Sequence, residues 1–187
     1  MQDSELTALT RYAKSLAHLT PEQESFLLAH GPELKGHLPQ ITEYFYENLL
    51  AVPEAAAFLG ERVDQLKKTH LAWLETVVTG PYDNAYTAYM YQVGKTHVLV
   101  NLPVEFMAGG MTLIMEAFHA SLQTLYRNDP ETLQAMVRAL TSVLGFSLIL
   151  MQKSYQLSAN AEQLTRFLKI TGISRELYTN MSKLYKE

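Results

Sequence analysis

The chain has 187 residues, 48% hydrophobic and 18% charged, which is the balance of one globular domain with room for a short appended element and excludes a disordered chain. A net charge of −4, with its 15 Lys and Arg residues scattered, excludes a basic footprint for nucleic acid. The lack of cysteine excludes disulfides, thiolate metal sites, iron–sulfur clusters, a cysteine nucleophile and covalent C-x-x-C-H attachment of a cofactor.

Apolar residues recur every three or four positions along nearly the whole chain, and no segment alternates with period two for long, so the elements read as all-α. The start, MQDSELTALTRYAKSLAHL, is polar and mixed in charge, without the basic start and apolar run of a secretory signal. A first helix spans about residues 4–17. A second opens at Thr20-Pro21-Glu22-Gln23, where Thr20 caps, Pro21 suits the first turn and Gln23 completes a capping box; Gly31-Pro32 ends it. After a short connector, Pro39 opens a helix carrying Ile41, Phe45, Tyr46, Leu49 and Leu50, followed by a helical turn at 54–59. Over 61–79, the residues Val63, Leu66, Thr69, His70, Trp73, Val77 and Val78 form an inward face that Gly80-Pro81 closes.

Asp83 or Asn84 starts the next helix, on which Tyr86, Met90, Val93, His97 and Val100 share one stripe. Pro103 begins a long helix to about Tyr126, interrupted in composition by Gly109-Gly110, and Asp129-Pro130-Glu131 caps another that reaches about Leu157. Apolar residues cover almost the full circumference of its 143–151 run, VLGFSLILM, which implies burial on more than one side, a dimer interface supplying the second. That run is well short of the roughly 20 residues that span a bilayer, so no membrane span and a cytoplasmic location are expected. Residues 158–187, with a helical stretch at 164–168 and a break at Gly172, read as a linker.

A histidine inside an apolar helical stripe is a satisfied core residue, a metal or haem ligand, or a proton-transfer group, and His97 is open to all three on pattern alone. His18, His30, His37 and His119 have no partners at ligand spacing, and no catalytic set emerges. The methionines, including Met107 and Met111, read as core packing.

The run Val93-Gly94-Lys95-Thr96-His97-Val98-Leu99-Val100-Asn101-Leu102-Pro103 resembles the proximal segment of the globin-coupled sensors, I-G-x-x-H-x-R-I-G-L-P. Three further segments agree in order: Phe45-Tyr46-Glu47-Asn48-Leu49 with the family's F-Y-x-x-L, Leu66-Lys67-Lys68-Thr69 with L-K-x-T, and Gly80-Pro81-Tyr82-Asp83 with G-x-Y-D. The resemblance covers roughly residues 5–157. It implies a globin fold with an extra N-terminal helix, no clear D helix and a C-terminal linker helix, divided into a sensor globin domain at 1–157 and a linker at 158–187. It further implies non-covalent haem b held through His97 as the metal ligand, with Tyr46 donating a hydrogen bond to bound oxygen. Leu66, Thr69, Phe45, Met90 and Val93 would line the pocket.

The implied function is sensing of oxygen, carbon monoxide or nitric oxide, with the state passed to an output in cis such as a diguanylate cyclase, histidine kinase or chemotaxis transducer. A homodimer would form through 103–126 and 130–157, and no enzymatic activity is expected of the chain itself, which would be the sensor portion of a longer protein. Two departures stand out: the family's Arg is Leu99 here and its Gly is Asn101, a residue that tolerates the left-handed conformation. His70 is the rival distal residue, since helix geometry turns it about 100° from Thr69. The alternatives are a haem-free helical dimerisation module and a haem enzyme, the latter without a visible reductase domain or distal acid–base pair.

Overall fold

Helix starts lie where the capping chemistry puts them. In the computed structural model, which describes residues 2–184, Thr20 accepts from the Gln23 N–H and Gln23 accepts from the Thr20 N–H at the head of the second helix. Asp83 accepts from the N–H groups of Ala85 and Tyr86, and Asp129 from that of Thr132. Each side chain satisfies donors that have no partner inside the first turn. The described elements are α1 (Asp3–Leu16), α2 (Pro21–His30), α3 (Leu38–Leu50), α4 (Pro53–Leu59), α5 (Val63–Thr79), α6 (Asn84–Leu99), α7 (Val104–Leu125), α8 (Pro130–Thr171) and α9 (Arg175–Leu184).

The connector before α3 is itself helical, a 3₁₀ segment over Gly31–His37. Gly31 therefore does not stop α2 by a left-handed turn; it stays right-handed, and a Cβ there would sit 1.8 Å from the Val78 carbonyl oxygen. Its role is to let the end of α2 touch the backbone of α5. Gly80, by contrast, is a true helix stop at φ 56, and the Tyr82 hydroxyl then donates back to the Val77 carbonyl at 2.6 Å.

The core is built around the first half of α8, where Met136, Leu140, Val143, Phe146 and Leu150 are fully buried, with α6, α7, α1 and α2 packed about it. Most of the apolar circumference of 143–151 is therefore covered within one chain, with Leu148 and Ile149 half-buried, so a partner is not needed to bury the rest. Two further expectations about this helix change. It does not end near Leu157 but runs unbroken to Thr171, where Gly172 closes it in the left-handed conformation. By length and composition an 18-residue window of α8 is apolar enough to cross a membrane, but half of that window is buried in the bundle, as suits a core helix.

Candidate functional site

His97 stands in the last turn of α6, half-buried, with its Nδ1 closed off from solvent and without a hydrogen-bond partner. Burial lowers its pKa, which favours the neutral imidazole. The turn that carries it is fixed at both ends. Asn101 takes φ 54, the Asn101 N–H donates to the Val98 carbonyl and the Leu102 N–H to the His97 carbonyl, both at 2.9 Å, the pattern of a Schellman cap. The helix is seated on α8 at the same level: Ser154 Oγ donates to the Tyr91 carbonyl at 2.5 Å, Tyr155 Oη donates to the Leu102 carbonyl at 3.1 Å, and a Cβ on Gly94 would lie 2.4 Å from the Met151 carbonyl oxygen.

The stripe facing the core is Tyr86, Met90, Gly94 and Val98, four residues apart; Val93 and His97 lie beside it, half-buried. Val100, read as part of the inward stripe, instead caps the helix end and is exposed, because the helix has already turned into the Asn101 corner. Leu99, where the family has Arg, is 78% exposed.

α3 and α5 bring together an aromatic cluster around His70. Phe45 stacks on the His70 ring at 4.4 Å and 15°, Tyr46 meets it edge-on at 5.7 Å, and Trp73 leans on it at 5.5 Å. Both His70 ring nitrogens are buried and unpartnered, and burial lowers its pKa to about 4. Tyr46 is buried, which pushes its phenol up to about 12 and keeps the proton on it. On the preceding turn of α3, Thr42 Oγ1 is also unpartnered, as is Trp73 Nε1.

Thr69, read as inward-facing, is exposed, and its hydroxyl donates to the Leu66 carbonyl at 2.9 Å; Leu66 itself is half-buried. The 100° step between neighbours on a helix turns His70, not Thr69, toward Tyr46. Met90 is deep in the core, as are Met107 and Met111. Thr42 was missed in the sequence, where only its spacing of four from Tyr46 marked it.

Among the described residues, all five buried side-chain nitrogen and oxygen atoms without a partner belong to Thr42, His70, Trp73 and His97. Each such atom costs about 1–3 kcal/mol unless something satisfies it, so their concentration on α3, α5 and α6 marks these helices as the candidate site. No group of three or more His, Asp or Glu side chains able to hold a bare metal ion occurs among the described residues. Two neutral imidazoles and a phenol in apolar surroundings fit a metal that brings its own equatorial ligands, as iron in a porphyrin does. One surface hollow lies against Pro21 and Phe26, and another lies between α8 and the 98–103 turn that follows His97.

The family model described as Protoglobin matches residues 6–161, most of the chain and every residue of this site. The chain belongs to the Protoglobin family. Within solved structures, this Protoglobin chain is similar to the globin domain of the Geobacter sulfurreducens globin-coupled sensor, with 28% identity and a TM-score of 0.71 over 78% of this chain and 96% of that one. It shares its fold with the globin domain of E. coli DosC in a ferric form, at 18% identity and a TM-score of 0.63, covering 78% and 99% of the two chains. No curated protein matches it. The fold is thus an all-α globin.

Proposed function

We propose that this chain is a haem-based gas-sensor domain, with haem b held non-covalently between the α3–α5 side and α6. The observation that carries the reading is the gathering of every unpartnered buried polar side-chain atom of the described residues onto those three helices, His97 and His70 among them. When bound, the haem supplies an iron that takes a diatomic gas. His97 holds that iron from α6: its neutral ring is a ligand without prior loss of a proton, and the capped turn fixes the backbone beneath it.

On the other side Tyr46 keeps its proton and donates a hydrogen bond to a polar diatomic ligand. A ligand that carries partial negative charge would gain more from the Tyr46 donor than carbon monoxide would, so oxygen is the favoured signal. His70 is the second distal group, a neutral imidazole beside Tyr46. Phe45, Leu66, Met90 and Val93 supply apolar walls that exclude water, and Thr69, exposed on α5, takes no part in them. Movement of His97 passes to α8 through the Gly94 and Leu102 contacts, and along 158–187 to an output in cis such as a diguanylate cyclase, histidine kinase or chemotaxis transducer. The chain itself is non-catalytic and cytoplasmic in this reading, and pairs with a second copy along α7 and α8.

Stopped-flow oxygen dissociation tests the distal assignment. Tyr46→Phe removes the donor and keeps the ring, so the dissociation rate should rise by about tenfold, the equivalent of about 1.4 kcal/mol for a hydrogen bond to a partly charged acceptor. An unchanged rate would remove Tyr46 from the site.

A further inference from the structure

The ring of a buried imidazole that serves a metal site is normally oriented by a hydrogen bond at its second nitrogen. His70 has no such bond, since both of its nitrogens are unpartnered. Three aromatic rings surround it: Tyr46 presents an edge, Trp73 is tilted by 46°, and Phe45 lies flat against it at 15°. Of the three, only a ring lying flat on the imidazole covers its face and opposes rotation of that plane.

Phe45 is in turn held from α7. Gly110 is buried in that helix, and a Cβ there would meet Phe45 Cε2 at 3.2 Å and Cζ at 3.6 Å, with no other atom within 4 Å. Its neighbour Gly109 is exposed and has nothing within 4 Å. A methyl at 110 therefore acts on Phe45 and on nothing else, whereas a methyl at 109 acts on nothing. This accounts for one glycine of the pair inside an otherwise regular helix, where glycine costs about 1 kcal/mol relative to alanine.

We propose that Phe45 is a positioning residue that sets the orientation of His70 on the ligand side of the site, and that Gly110 is the socket in α7 that lets Phe45 stack. The proposal rests on the haem reading above, and goes beyond it in linking α7 to the distal histidine through one ring. A change in how α7 sits against α3 would tilt Phe45 and with it the group that guards the iron.

The test is the association rate of carbon monoxide with the ferrous, haem-loaded full chain after flash photolysis. Phe45→Leu and Gly110→Ala should each shift that rate by at least about threefold, and Gly109→Ala should leave it unchanged. The two effects should not add, because Gly110→Ala has nothing to displace once Phe45 is gone. In a His70→Leu background both should vanish. That loss separates positioning from a general structural role, which would persist without His70. Thermal melts of each variant guard against misfolding, and the Phe45→Leu and His70→Leu pair decides the question even where Gly110→Ala unfolds the chain. Equal shifts with and without His70 would overturn the proposal while leaving haem binding intact. A wild-type chain that takes up no haem would overturn the functional reading itself.

Discussion

A histidine that is kept neutral by burial leaves a mark on stability. The folded chain holds the pKa of His70 near 4, against about 6.5 for an exposed imidazole. Between these values the unfolded chain binds a proton that the folded chain refuses, so stability is complete above pH 6.5 and is lost as pH falls toward 4, by about 3 kcal/mol. Urea unfolding at pH 7.5 and pH 4.5 should show that loss in the wild type and a smaller one in His70→Phe; equal losses would mean that His70 titrates freely. At this scale the sequence was informative for reasons that can be named. Asn101 was legible as a left-handed corner because few other side chains tolerate φ 54. His97 was marked by its motif, whereas the stripe assigned to it was one step off, since the core-facing row is Tyr86, Met90, Gly94 and Val98 and His97 lies beside it. The direction of His70 against Thr69 was not legible, because adjacent residues on one helix both fit an inward face until the packing of Phe45 and Tyr46 chooses between them.

Among the elements, the crossing of α6 and α8 sets where His97 stands. Gly94 permits it: a Cβ would fall 2.4 Å from the Met151 carbonyl oxygen and 3.0 Å from the Met151 Cα, atoms that cannot turn away. Gly94→Ala should lower stability by about 2–3 kcal/mol as the helices are pushed apart, whereas Gly109→Ala, exposed and unobstructed on α7, should raise it by about 1 kcal/mol. Comparing their midpoints in guanidinium chloride checks both; a Gly94→Ala variant as stable as the wild type would mean that α6 does not rest on α8 at this point. Capping residues made the helix starts readable, since Thr20, Asp83 and Asp129 act on their own first turns. The end of α8 was less so. Its segment beyond Leu157 loses apolar residues because it leaves the bundle, not because the helix stops.

For the whole molecule, the same helix that forms the centre of the core also carries the chain away from it. Ser154 is the last buried residue of α8, and beyond it the helix and α9 expose Phe167, Ile170, Leu177 and Met181. Removal of residues 162–187 should therefore leave the fold nearly as stable, with the melting temperature within about 4 °C of the full chain; a drop of 10 °C or more would show that the distal part of α8 supports the globin body. The fold class and the order of helices could be read from periodicity. The coverage of 143–151 by helices of the same chain could not, because periodicity tells that a face is buried and not by what.

The claim on which the account turns is that His97 grips the iron of a haem. Titration of the purified chain with hemin, followed by the Soret band, tests it directly. The account predicts saturation at about one haem per chain and loss or gross alteration of the band in His97→Ala, with helical content unchanged by circular dichroism. A chain that stays colourless through the titration, or a His97→Ala variant with the wild-type spectrum, would contradict it.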